Sequence, residues 1–215
     1  PNMINTIIFD LDGTLLNTLE GLKNSTNFAL KKFNSPEITL EQTRSFVGNG
    51  VRKLIERAIQ NGEQNPDFEK CLNTFKEHYS KTMYQKTVAY DGIEDMLTEL
   101  KKRGIKTGVV SNKFDTAVKE LCKNYFDGLI IVAIGESPNV RKKPAPDSVL
   151  KAMKILGAKP ENTLYVGDSD VDIQTAKNSN LKSVGVTWGF RDRELLEKEG
   201  ADFIINTPCE LLELI

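Results

Sequence analysis

Residues 4–9 are nearly all apolar and rich in β-branched side chains. That pattern predicts a strand buried on both faces, as in a parallel sheet. The run stops at Asp10-Leu11-Asp12-Gly13-Thr14, an acidic turn. From there to Met83 apolar positions recur only at helical spacing. Leu19, Leu22, Thr26, Ala29, Leu30 and Phe33 mark a first helix, which Ser35-Pro36 breaks. Thr39 with Gln42 has the pattern of a capping box. Gly48-Asn49-Gly50 is a turn, and Val51, Leu54, Ile55, Ala58 and Ile59 form the next apolar stripe. Asn61-Gly62 ends it. Phe68, Cys71, Leu72, Phe75, Tyr79 and Met83 form another.

After Asp91-Gly92 the pattern alternates. A helix carrying Ile93, Met96, Leu97 and Leu100 stops at Gly104, and residues 105–110 read as a strand. Ser111-Asn112 turns into a helix with Phe114, Ala117, Val118, Leu121 and Cys122. Strands are predicted at 129–132, 163–166, 184–186 and 203–205, with helices at Val149 to Leu156, from Asp168 to about Asn178, and from Thr207. Thr207-Pro208-Cys209-Glu210 combines a cap, an N1 proline and an N3 acid. Strands alternating with helices imply an α/β fold with a doubly wound parallel sheet. The helical stretch interrupts that alternation and reads as an insertion. The expected organisation is a Rossmann-like catalytic core of residues 1–16 and 84–215, with an inserted α-helical cap domain at 17–83. Met3 reads as the natural start, after Pro1-Asn2.

Composition narrows the function classes. With 29 basic and 30 acidic residues, a formal net charge of −1 gives no basic nucleic-acid footprint. The longest apolar run, residues 129–134, is far short of a membrane span. Cys71, Cys122 and Cys209 lie apart, without metal-ligand spacing, and are expected to be buried, reduced thiols. That fits a reducing compartment, hence an expected cytoplasmic protein with neither nucleic-acid nor membrane partner. His78 lies near an apolar stripe and reads as structural.

The acids carry the chemistry. Asp10 and Asp12 follow the first strand; Asp168, Asp170 and Asp172 follow the strand ending at Val166. Ligand sites in open parallel sheets lie at the carboxyl ends of strands, so these acids converge if the two strands are neighbours. Carboxylates about 4 Å apart repel by ~4 kcal/mol at an effective dielectric near 20, so the group calls for a cation. Oxygen ligands favour magnesium or calcium over zinc, and a cation meeting phosphate suits Mg2+. If the strand continues past Phe9, Asp10 and Asp12 share a face. Gly13 permits a tight turn, and Thr14 can donate a hydroxyl to it or to an acid. Asp12-Gly13 alone would be a plain turn, and Lys143 alone a solvated loop lysine. The prolines around Ala145 in Lys143-Pro144-Ala145-Pro146-Asp147 argue for a fixed loop instead.

Four motifs together resemble the haloacid dehalogenase superfamily of phosphatases over essentially the whole chain. They are Asp10-Leu11-Asp12-Gly13-Thr14, Ser111, Lys143, and Gly167-Asp168-Ser169-Asp170-Val171-Asp172. The resemblance implies that Asp10 is a covalent nucleophile, Asp12 a general acid and base, and Lys143 a catalytic cation. Ser111 and Lys143 would hold the phosphoryl oxygens. Asp10, the Asp12 carbonyl and Asp168 would bind magnesium, with Asp172 as a ligand through water or as a support. Asp170 is assigned to the helix N-terminus. A finer resemblance, to phosphoglycolate phosphatases, rests on Ser111-Asn112-Lys113, Val47-Gly48-Asn49-Gly50-Val51 and Val186-Thr187-Trp188-Gly189-Phe190. Asn112 and Lys113 are candidates for the phosphoryl site. Gly48, Asn49 and Gly50 could bind an anion through their amides, with Arg52 and Lys53 assisting. Asn17 departs from the family, where many relatives carry an acid.

The expected activity is hydrolysis of a small phosphorylated metabolite such as 2-phosphoglycolate, by a monomer or homodimer. A pyrophosphatase, nucleotidase or phosphosugar mutase of the same scaffold stays open, as does a phospho-Asp signalling module. A dehalogenase is disfavoured because such relatives lack the acid at position 12.

Overall fold

A computed structural model describes residues 3–215; the reading of Pro1-Asn2 lies outside the described residues. The chain divides into two compact units, one of residues up to 17 with 89–215, the other of 18–88. The second boundary, expected after Met83, falls after Val88. Met83 itself is buried, and the Gln85 carbonyl and Thr87 Oγ1 pack against Gly21 of the first helix, so the segment after the last helix stays with the helical unit.

The larger unit holds a six-stranded sheet. Its strands are β1 (Thr6–Phe9), β4 (Lys106–Phe114), β5 (Val132–Glu136), β6 (Thr163–Gly167), β7 (Lys182–Val186) and β8 (Phe203–Ile205), in the order β5-β4-β1-β6-β7-β8. Two short extended segments, β2 (Leu16–Asn17) and β3 (Val88–Ala89), stand where the chain leaves and returns. Every described pair in the larger sheet is parallel. All four residues of β1 are buried, as its continuous apolar run requires. The helices are α5 (Ile93–Lys102), α6 (Asp115–Phe126), α7 (Asp147–Leu156), α8 (Asp170–Asn178) and α9 (Arg193–Lys198). One side of the core joins Ile8 and Tyr165 of the sheet to Val149, Met153 and Leu156 of α7.

The smaller unit holds α1 (Leu19–Lys32), α2 (Leu40–Phe46), α3 (Val51–Ala58) and α4 (Phe68–Thr82). The capping box forms: the Gln42 amide donates to Thr39 Oγ1 (3.1 Å) and the Thr39 amide to Gln42 Oε1 (2.8 Å). His78 stacks on Phe28 at 4.1 Å and places Nδ1 2.8 Å from Ser25 Oγ. It joins α1 to α4.

Several expectations are corrected. β4 does not end at Val110: its register shifts there, and Phe114 pairs again with Glu136. Ser111, Asn112 and Lys113 are therefore extended, and the helix starts at Asp115, whose Oδ1 accepts from the Gly135 amide (2.9 Å). β5 begins at Val132 because Leu129 and Ile130 still bond back to the Phe126 carbonyl. α9 was not expected from the apolar pattern; Asp192 caps it through Leu195 N (3.0 Å). The segment after Thr207 is a 3-10 helix, Pro208–Leu214, opened by the expected N1 proline. Cys209 is exposed, not buried, since Pro208 and Leu211 take the inward face of that segment. Cys71 and Cys122 are buried, and burial pushes their thiols up to about 11 and about 12.

Candidate active site

β1 lies between β4 and β6, with Phe9 opposite both Val109 and Val166. Asp10 and Asp168 follow the ends of β1 and β6, and Ser111 lies on β4 just past its last pairing with β1, so the three come to one edge. The chain winds outward from β1 to β5, then returns to β6, so this edge is also where the winding reverses, the usual place for a ligand.

β1 stops at Phe9, so the strand geometry on which a shared face for Asp10 and Asp12 was conditional does not reach them. A turn places them instead. Leu11 C=O accepts from the amides of Thr14, Leu15 and Leu16, and Gly13 adopts φ +82°. A Cβ on Gly13 would collide with the Asp168 carboxylate. Glycine is thus required for both conformation and space. The turn leaves Asp10 and Asp12 with side chains 13% and 20% exposed.

Lys143 is the centre of the charge arrangement. Its Nζ lies 3.0 Å from Asp10 Oδ1, 3.1 Å from Asp172 Oδ1, 2.9 Å from Tyr165 Oη and 3.1 Å from the Val110 carbonyl. Asn112 holds it there: its Oδ1 accepts from Lys143 N (2.7 Å) and its Nδ2 donates to Lys143 O (3.0 Å). Asn112 thus turns its amide to the Lys143 backbone. Ser111 Oγ accepts from Lys113 N (3.1 Å), and Lys113 Nζ, only 2% exposed, reaches Asp12 Oδ1 at 3.2 Å.

Asp168 Oδ1 accepts from Thr14 Oγ1 (3.3 Å) and Oδ2 from the Phe190 amide (2.9 Å). Asp172 is more enclosed. Its Oδ1 accepts from Tyr165 Oη (2.6 Å) as well as Lys143; its Oδ2 accepts from Asp168 N, Ser169 N and Ser169 Oγ at 3.0–3.2 Å. Five donors fill the roughly four lone-pair directions a carboxylate offers. Asp170 sits in the first turn of α8, as expected.

Asp10, Asp168 and Asp172 can each offer an oxygen within 4.8 Å of the others. Burial, then Asp172, pushes Asp10 well above the usual carboxylate range, against the pull of Lys143. Burial and Asp172 likewise raise Asp168 to about 7. Burial would also raise Asp172, but Lys143 and the hydrogen bonds from Tyr165 and Ser169 hold it below its ordinary value. Lys143 is raised: burial opposes its charge, and Asp10 and Asp172 more than reverse that. Two acids short of compensating charge, presenting only oxygen, are suited to a hard divalent cation.

The family comparison decides what kind of protein carries this arrangement. Residues 7–186 match the model of the haloacid dehalogenase-like hydrolases. The chain belongs to that family. A phosphoglycolate phosphatase of Aquifex aeolicus is 32% identical over 214 residues, spanning 97% of this chain and 95% of its own. Pyrophosphatase PpaX of Bacillus mycoides is also 32% identical, over 218 residues, spanning 99% and 97%. A crystal structure from Lactobacillus delbrueckii subsp. bulgaricus, provisionally assigned as a phosphoglycolate phosphatase, is similar at TM-score 0.94 and 34% identity, covering 99% of this chain and 98% of that one. As a member of this hydrolase family the chain has the parallel α/β core described above, and no described helix is long and apolar enough to cross a membrane.

The helical unit places its candidates separately. Gly48 and Gly50 take φ +119° and +91°, and Gly50 precedes α3. Asn49 Oδ1 accepts from Arg57 Nη1 (2.9 Å). Arg52 is engaged inside its own unit, with Glu69 at 2.8 Å, Glu63 at 3.4 Å and the Phe68 ring beneath it. Sequence reasoning missed Tyr165, and it quoted Ser169, Trp188 and Phe190 inside motifs without giving them a role at the site. Tyr165 had a legible signal, a phenol in a strand otherwise suited to full burial, where the hydroxyl must find a partner.

Proposed function

We propose that the chain is a magnesium-dependent phosphatase that hydrolyses a small phosphorylated metabolite through an aspartyl phosphate on Asp10. The observation that carries this reading is the position of Asp10. Its carboxylate stands 3.0 Å from Lys143 Nζ and within 4.8 Å of Asp168 at the ends of adjacent strands. A carboxylate nucleophile splits one hard substitution into two easier ones. Asp10 attacks phosphorus, and the P–O bond to the leaving alkoxide breaks. Asp12 gives that alkoxide its proton. Asp12, now a carboxylate beside Lys113, takes a proton from water as the water oxygen attacks phosphorus. The bond from phosphorus to Asp10 breaks, phosphate departs, and both acids are restored.

Lys143 and Ser111 hold the phosphoryl oxygens, and Asn112 fixes Lys143. Asp10, the Asp12 carbonyl and Asp168 would hold Mg2+, which when bound neutralises the phosphoryl charge. Asp172, with its oxygens already occupied, supports Lys143 and the Asp168 loop rather than ligating directly. The helical unit serves as the cap, with Gly48-Asn49-Gly50 as its anion-binding candidate and Arg52 as a surface residue tied to Glu63 and Glu69.

The names of the relatives point to two substrate classes, a phosphorylated hydroxy acid and pyrophosphate. A panel of 2-phosphoglycolate, pyrophosphate, nucleoside monophosphates and sugar phosphates, with and without Mg2+, tests the reading by kcat/KM. Magnesium-dependent release of phosphate from a monoester, with 2-phosphoglycolate foremost, is expected. Equal rates in EDTA, or no release from any of them, would overturn it.

Stability gives a second check. The unfolded carboxyls titrate near 3.8, whereas Asp168 in the fold titrates at about 7 and Asp10 is also raised. The metal-free fold therefore binds more protons than the unfolded chain between those values, and loses stability as pH rises through them. A cation offsets the ionised pair. At about a hundredfold excess over Kd, Mg2+ should raise Tm by about 5–10 °C at pH 8, and by much less at pH 5. Equal gains at both pH values would contradict the charge argument.

A further inference from the structure

The segment Trp188-Gly189-Phe190 lies outside the four motifs, yet three separate contacts tie it to them. Trp188 Nε1 donates to the Thr14 carbonyl at 2.9 Å. The Phe190 amide donates to Asp168 Oδ2 at 2.9 Å. Between them, Gly189 is pressed so closely to the site that a Cβ there would overlap the Gly13 carbonyl and the Asp168 side chain. Thr14 Oγ1 closes the circuit onto Asp168 Oδ1 at 3.3 Å. The Trp188 ring is backed by Tyr90, with centroids 6.5 Å apart.

We infer that Trp188-Gly189-Phe190 is a positioning strap that sets divalent-cation affinity by fixing Asp168 against the Gly13-Thr14 turn. The inference rests on the metal site proposed above. Oδ1 of Asp168 accepts from the turn and Oδ2 from the strap, and Asp10 is a further partner on the side of the metal site. The turn and the strap together hold the carboxylate plane from the side away from Asp10. Without the strap, the carboxylate keeps the Thr14 hydroxyl and Asp10 but loses the Phe190 amide and the wall formed by Gly189, so its plane is less firmly set. A cation then has to order the carboxylate at its own expense, which weakens binding without changing the bound geometry. Supports one step removed from a metal commonly alter affinity 10–100-fold. The strap's described contacts run to Gly13, Thr14 and Asp168, whereas the acids proposed for the chemical step are Asp10 and Asp12, so that step should survive once the site is filled.

Calorimetric titration of Mn2+ and Mg2+ into EDTA-stripped, desalted protein tests this, paired with the Mg2+ dependence of phosphatase activity. Gly189→Ala should weaken cation binding at least tenfold, and Trp188→Phe about threefold to tenfold, with kcat at saturating Mg2+ within twofold of wild type. Gly185→Ala, which crowds Leu196 and not Asp168, serves as a packing control that lowers Tm without changing Kd. If Gly189→Ala fails to fold, Trp188→Phe carries the test alone. Wild-type binding with both variants matching it within twofold overturns the strap. So does a loss of kcat that saturating Mg2+ leaves in place. No cation binding by wild type instead overturns the metal site itself. Trp188 is the chain's single tryptophan, so its emission should change as Mg2+ binds wild type, and should stay constant in Asp168→Asn.

Discussion

Replacing Asp10 by Asn should lower turnover by about 10^4-fold or more, because the substitution removes the atom proposed to bond phosphorus while keeping the shape of the side chain. The same change should stabilise the metal-free protein at pH 8. Asp10 titrates well above the usual range because burial, Asp172 and Asp168 all oppose its charge, and Lys143 only partly compensates. A neutral amide escapes that opposition. The expected pair of results is thus a dead enzyme with a higher Tm in EDTA, the trade of stability against activity found at strained sites. Retained turnover would remove Asp10 as nucleophile. A lower Tm in EDTA would mean that the ion pair with Lys143 outweighs the repulsion, contrary to the raised pKa.

Lys143→Met should be damaging in both respects. The ammonium has two carboxylates, a phenol and a carbonyl around it, and is 3% exposed. Methionine fills similar volume and leaves Asp10 and Asp172 buried without a counter-charge. Breaking a buried pair from one side costs about 3–5 kcal/mol. The loss should be full at pH 8 and shrink as pH falls through the raised titration of Asp10, whose protonated form no longer needs a partner. Activity should fall by about 10^3-fold or more, since phosphoryl charge loses its main protein cation. Chemical denaturation at pH 8 and at lower pH measures the first effect, and kcat/KM with saturating Mg2+ the second. A pH-independent stability loss would assign Lys143 to packing alone.

The parts of this site written in local patterns could be read from the sequence. Asp10 to Thr14 and Gly167-Asp168 each follow an apolar strand directly, and the two strands prove to be neighbours. Lys143 was legible through the prolines beside it. What stayed hidden depends on which residues meet after folding. Tyr165 looked like core, and its ring is core; only its hydroxyl, donating to Asp172 and accepting from Lys143, belongs to the site. Asn112 read as a residue facing the phosphoryl site, and its partner turned out to be the backbone of a residue 31 positions away. Trp188-Gly189-Phe190 was visible as a family-like segment, but its place against Gly13 is a property of packing. In the fold, β4 outran its predicted end because pairing at Phe114 with Glu136 extends the strand, a tertiary effect that no propensity records.

The place of β1 has a consequence for synthesis. Its partners begin at Lys106 and Thr163, so β1 is synthesised well before either neighbour and is among the last strands of this sheet to gain both. At ~5–20 residues per second, Ile7, Ile8 and Phe9 remain an unpaired apolar segment for roughly ten seconds or longer. The helical unit, whose contacts close within residues 18–88, emerges meanwhile and can collect them locally, the faster kind of folding. The nascent sheet is therefore most open to misassociation at β1, and that exposure ends only when β6 arrives to complete the acidic edge.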